Sequence, residues 1–102
     1  MTEVIAVRRL LWKGAPTHEV LVRIGKPAET PGVASEFYCP IQTTGLGSNE
    51  LDTAVFGIDA LQAIELAIRF VRYRLADINA RNDGCLRWLD EPLPADWAQK
   101  EE

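Results

Sequence analysis

The stretch FGIDALQAIELAIRF, residues 56–70, decides how this chain folds, because it combines a helix start with a long apolar helix face. Asp59 precedes the apolar repeat and can accept a hydrogen bond from a free amide of the first helical turn. Gln62 stands three residues later, where a capping-box side chain reaches back. Neither glycine nor proline occurs in residues 60–79, and Gly84 follows as a stop. We therefore expect a helix over residues 60–79, capped by Asp59 and Gln62.

The chain before this helix has the composition of β-strands. Four segments carry the signal: residues 3–12, 18–26, 35–43 and 50–56. Glycine and proline in residues 13–17 indicate a hairpin, and residues 27–34 read as a loop. Pro40 lacks an amide donor, which favours an edge position or a bulge for the third strand. Strands followed by one long helix predict an α+β fold with a four-stranded, mainly antiparallel sheet. The helix packs on one face, and residues 85–102 form an irregular tail.

Length and composition point to one globular domain over residues 1–102. The chain is 47% hydrophobic and 25% charged, as is usual for soluble proteins. No apolar run approaches the roughly 18 residues that span a bilayer, so we expect no membrane association and a cytoplasmic location. Cys39 and Cys85 match no zinc or redox spacing, and we expect both to be reduced.

The apolar part of the helix is wider than packing on a sheet requires. Its arc covers about 220°, whereas one packed face needs little more than about 100°. The surplus flank is formed by Leu66, Phe70 and Tyr73. The protein's own tail covers this flank, through Trp88 and Leu89, or a second subunit does, as in a homodimer built on helices, or both do.

Arg74 is the one charged residue within the apolar arc. Its long stem can cover apolar surface while its guanidinium reaches water, or the guanidinium can bind a carboxylate of a partner. Our candidate interface is therefore a set of five residues: Leu66, Phe70, Tyr73, Arg74 and Trp88.

The sequence contains no catalytic, cofactor-binding or metal-binding pattern that we can support. His18, the one histidine, has no serine or cysteine near it, and the Gly-x-Gly of residues 43–48 lacks the lysine and the helix of a phosphate-binding loop. We expect a non-catalytic protein without a cofactor or a metal. A pI near 5.0 disfavours nucleic acid as a partner.

Residues 27–66 contain six acidic residues and no lysine or arginine. Two functions follow as hypotheses. The first is a protein–protein interaction module, binding another protein or a second copy of itself. The alternative is an inhibitor or immunity-type partner of a basic enzyme or toxin, which the acidic segment would attract.

The helix start resembles a known pattern. The segment GIDALQAIELAIRFVRYRL, residues 57–75, is similar to the Gly-x-Asp-Ala-x-Gln-Ala start found in a family of small uncharacterised bacterial proteins, a domain of unknown function. VRIGKP at residues 22–27 and FYC at residues 37–39 extend the similarity. The resemblance implies a bacterial, single-domain α+β protein and no known activity.

Overall fold

The computed structural model describes residues 3–98, and over this range the chain forms a seven-stranded antiparallel sheet and one long helix. The elements in chain order are β1 (Val4–Trp12), β2 (His18–Gly25), β3 (Ala28–Glu29), β4 (Phe37–Thr44), a 3-10 helix η1 (Gly47–Asn49), β5 (Asp52–Gly57), α1 (Ala60–Arg81), β6 (Leu86–Trp88), β7 (Glu91–Pro92) and a 3-10 helix η2 (Ala95–Ala98). The strand order is β3-β4-β2-β1-β6-β7, and β5 pairs with β4. The α+β class and the antiparallel sheet are confirmed.

The prediction of four strands is wrong, because three short strands lie in segments that read as loop or irregular tail. β3 is two residues long and pairs with the start of β4. β6 and β7 form a hairpin across Leu89 and Asp90, which both have positive φ, at 54° and 64°. A two-residue turn of this kind usually contains Asn or Gly, so Leu-Asp gives no turn signal in the sequence. The helix also runs two residues beyond 79, to Arg81.

Pro40 lies in an interior strand rather than at an edge, because β4 pairs with β5 on one side and with β2 and β3 on the other. Thr43 donates its amide to Leu51, toward the β5 side. Since successive amides of a strand point to opposite sides, the nitrogen of Pro40 faces the other side. On that side β4 pairs with β3 up to Tyr38 and with β2 from Ile41 onward, so Pro40 has no partner residue there. The missing donor therefore leaves no ladder bond unmade.

The core lies between the sheet and one stripe of the helix. Alternate residues of β2 and β4 are buried, among them Val20, Val22 and Ile41. The buried helix residues are Ala63, Ala67, Val71, Leu75 and Ile78. α1 packs chiefly on β4 and β5. At the turn into the helix the two backbones approach closely, since a Cβ on Gly57 would lie 2.7 Å from the backbone nitrogen of Ala63.

The helix start matches its sequence signal with one difference. Asp59 accepts a hydrogen bond from the amide of Gln62 at 2.7 Å. The Gln62 side chain reaches back as expected, but it accepts from the amide of Ile58 at 2.8 Å rather than from that of Asp59. The first-turn amide of Gln62 and the amide of Ile58, which precedes the cap, thus both receive acceptors.

The tail after the helix docks on the body of the protein. Trp97 of η2 is buried, with 4% of its surface exposed, and η2 packs against α1. The Trp88 and Trp97 rings lie 5.3 Å apart, and the guanidinium of Arg8 lies 4.2 Å from the centre of the Trp88 ring. The end of the described chain is therefore held against its first strand.

Candidate functional site

The site begins with an open strand edge. β1 pairs with β2 along its length, but β6 pairs only with Leu11 and Trp12 on the other side. Within residues 3–98, no strand pairs with that side of β1 between Val4 and Leu10. An unpaired edge of this kind offers backbone donors and acceptors to another chain.

The backbone direction identifies which groups face the open edge. Lys13 donates its amide to Cys85, on the β6 side of β1. Because successive amides of a strand alternate in direction, the amides of Val7 and Arg9 point to the same side as that of Lys13. Val7 is also one of the exposed apolar side chains of β1, at 52%. The edge therefore combines free backbone groups with apolar surface.

A groove of about 210 Å³ lies beside this edge, between β1 and α1. Val22, Ile24 and Val71 belong to the buried core and contribute to its lining. Ala6 and Val7 line it from β1, and Ile68, 39% exposed, lines it from the helix. The groove exists because α1 packs chiefly on β4 and β5 and leaves the β1 side of the sheet uncovered.

Two arginines line the groove at the end nearest the tail. The guanidinium groups of Arg8 and Arg72 lie 5.2 Å and 6.0 Å from the centre of the Trp97 ring. Burial, and to a lesser degree the charge of Arg72, lowers the pKa of Arg8. Neither arginine forms an ion pair within the part of the chain that the structure describes. This end of the groove is positively charged, and among residues 3–98 no carboxylate forms an ion pair with either arginine.

Three of the predicted interface residues, Leu66, Phe70 and Tyr73, do not line this groove. Leu66 and Phe70 are half-buried, with Phe70 packed on the core, and Tyr73 is 37% exposed. Their flank of the helix is opposite the flank that carries Leu61 and Ile68. Leu89 is 78% exposed, so the tail does not shield the helix through that side chain.

Arg74 and Trp88 have contacts within the protein. Arg74 lies 3.6 Å from Asp77, one turn along its own helix, and Asp77 also receives a hydrogen bond from Arg81. Trp88 contacts Trp97 and Arg8. The structure therefore separates the five candidates into a half-buried helix flank, a helical ion pair and a tail cluster.

The sequence does not reveal which flank stays exposed, because the apolar arc of α1 has two sides and their exposure depends on where the helix lies on the sheet. Leu61 and Ile68 widen the arc on one side, and they are 66% and 39% exposed. The one sequence feature that could have indicated this exposed surface is the excess of apolar residues in β1, where Val4 and Ile5 are also exposed.

His18 lies at the start of β2 and has a structural environment. Its Nε2 lies 2.8 Å from the carbonyl oxygen of Gly45, and its Nδ1 lies 3.1 Å from that of Pro16. The two carbonyls, that of Gly45 most, raise the pKa of His18. Among residues 3–98, no group of three or more His, Cys, Asp or Glu side chains is placed to hold a metal ion. Cys39 and Cys85 are both free thiols.

The family comparison covers nearly the whole described chain. A family model described as Domain of unknown function (DUF6968) matches residues 6–96, from β1 into η2. This agrees with the resemblance to an uncharacterised family. Neither a curated protein nor a solved structure matches the chain. Over residues 3–98, no helix combines the length and the hydropathy that crossing a bilayer takes.

Proposed function

We propose that this chain, which belongs to the DUF6968 family, is a non-catalytic protein–protein interaction module that binds an extended segment of another protein along the open edge of β1. The observation that carries the proposal is the coincidence of an unpaired strand edge with an adjoining apolar groove. Main-chain hydrogen bonds to the edge would supply affinity, and the groove would receive every second side chain of the segment.

The exposure of β1 supports binding over solubility as the reason for this surface. Edge strands are usually protected by charge, by proline or by an element that covers them. In β1 the exposed apolar residues Val4, Ile5 and Val7 stand on the unprotected part of the edge. A strand-addition site would leave such apolar residues exposed on an open edge, and the groove gives the incoming strand an apolar floor.

The alternative role as an inhibitor of a basic enzyme has less support. It rests on the acidic residues of 27–66, and two of these serve the fold. Glu50 accepts hydrogen bonds from the Thr43 hydroxyl and the Gly45 amide, and Asp59 caps the helix. The proposal keeps a bacterial, cytoplasmic setting, which rests on the resemblance of the helix start and on the free thiols of Cys39 and Cys85.

A selection experiment tests the proposal. The protein is used to select from a displayed library of random peptides of about twelve residues, alongside Val7→Pro. Proline removes the outward amide of Val7 and is tolerated at a strand edge, because that amide does not pair with β2. Val7→Thr is the matched control, since it keeps the amide. We expect wild type and Val7→Thr to enrich peptides that Val7→Pro does not bind.

The circular dichroism spectrum and the melting temperature of Val7→Pro establish that it is folded. If the wild-type protein enriches no peptide, or if folded Val7→Pro binds the selected peptides as well as wild type does, the proposal is wrong.

A further inference from the structure

We propose that the segment bound at β1 carries a carboxylate two positions from an apolar residue, and that this carboxylate pairs with Arg8 and Arg72. The inference rests on the proposed function and adds the chemistry of the partner. The occupant is thus an acidic, extended segment of another protein.

The first step is the convergence of the two arginines. Both guanidinium groups lie near the Trp97 ring, at 5.2 Å and 6.0 Å from its centre, and both line the groove. An aromatic face attracts a cation but does not neutralise it. A carboxylate would replace the repulsion between the arginines with charge-assisted hydrogen bonds, which are about twice as strong as neutral ones.

The second step is the spacing along the bound strand. Arg8 pairs with Val22 in the β1–β2 register, and Ala6 pairs with Ile24. Since side chains of a strand alternate between faces, an added strand would present residues two apart to this face of the sheet. One of them would meet the arginine end, and the next would lie over the apolar part of the groove. This places an acidic residue and an apolar residue at i and i+2.

The third step is that charge disfavours a second copy as the occupant. An antiparallel pairing of two β1 strands centred on Val7 would set Arg8 of each copy opposite Ala6 of the other. Arg8 and Arg72 of both copies would then lie on the same face of the joined sheet. β1 itself carries no acidic residue between Val4 and Trp12 to offset these charges. Like charges brought together on a sheet face are destabilising.

The experiment uses two synthetic peptides of about eight residues, with blocked ends and alternating valine and threonine. They differ at one position, which is Glu in the first and Gln in the second. Binding to the full-length protein is measured by fluorescence anisotropy. We expect the Glu peptide to bind about tenfold more tightly, as for a hydrogen bond to a charged group. The preference should shrink as salt is added.

Substitutions in the protein assign the preference to the arginines. Arg72→Gln should abolish it, and so should Arg8→Gln where that variant remains folded. Arg9→Gln is the matched control, because Arg9 lies on the same strand and is paired with Glu19 at 3.0 Å. Arg9→Gln should leave the preference unchanged.

The possible failures are distinguishable. Equal binding of the two peptides to wild type, lost in Val7→Pro, would overturn the acidic partner and leave the proposed function standing. If neither peptide binds, the inference of an acidic partner is wrong. The library selection then tests the proposed function separately. A dimer in sedimentation that Val7→Pro dissociates and the Glu peptide does not would show that a second copy is the occupant, against the inference.

Discussion

The guanidinium of Arg8 lies 4.2 Å from the centre of the Trp88 ring, which joins the first strand of the protein to the hairpin that follows the helix. Trp97 extends the stack, 5.3 Å from Trp88. A cation over an aromatic ring contributes about 0.5–2 kcal/mol, with the larger value where the pair is shielded from water. The tail is therefore a part of the folded unit, and it also bounds the arginine end of the groove.

The docking of the tail predicts a large effect of Trp97→Ala. The side chain is 4% exposed, and removing a buried tryptophan costs about 3–5 kcal/mol. Leu89→Ala is the control from the same tail, because Leu89 is 78% exposed and should change stability little. Urea denaturation measures both. Equal midpoints for the two variants would show that η2 is not docked in solution.

The helix cap predicts a smaller effect. Asp59→Ala should lower the free energy of unfolding by about 1 kcal/mol, because the amide of Gln62 loses its acceptor and a negative charge leaves the positive end of the helix. Asp52→Ala removes the same charge from an exposed position in β5 and serves as the control. Denaturation curves that coincide for the two variants would contradict the capping role.

The turn between β6 and β7 predicts a stabilising substitution. Leu89 has φ of 54°, a conformation that costs about 1–2 kcal/mol for a residue with a Cβ and less for asparagine. Since Leu89 is exposed, its side chain contributes little by burial. Leu89→Asn should therefore raise the free energy of unfolding by about 0.5–1 kcal/mol, which is measured as a higher melting temperature. Leu89→Ala keeps the strain and should show no such gain.

The position of His18 predicts a dependence of stability on pH. Both ring nitrogens face carbonyl oxygens, and the imidazolium can donate to both whereas the neutral ring can donate to one. The pKa of His18 is raised above its ordinary value of 6.5 in the folded protein. Its contribution is thus fully present below pH 6.5 and is lost as the pH rises through the folded pKa.

The measurement compares wild type with His18→Gln. The difference in melting temperature should be largest at about pH 5.5 and should shrink toward about pH 8.5. Because both proteins contain the same carboxylates, the pH dependence that these groups cause cancels when the two melting temperatures are subtracted. A ring titration by NMR with a midpoint at or below 6.5 would show that the two carbonyl contacts do not hold the proton.

Local signals in the sequence predicted the elements whose causes are local. Asp59 and Gln62 mark the helix start because the free amides in and just before the first turn need acceptors close in sequence. The alternation in β2 and β4 follows from the two-residue repeat of a strand, which puts Val20 and Val22 on the buried face. Gly84 takes φ of 70° just after the helix, as its position predicted. Each of these features requires only neighbours along the chain.

Only the tertiary structure decided which apolar flank of the helix stays exposed. The arc of α1 is wide on both sides, and the position of the helix across the sheet determines which side is covered. Because α1 packs chiefly on β4 and β5, Phe70 is packed on the core while Leu61 and Ile68 are exposed on the other side. The same placement leaves the first half of β1 exposed and brings Arg8 and Arg72, which are far apart in sequence, to one end of the groove. The sequence shows which residues are apolar, but it does not show how far the helix lies from the edge of the sheet.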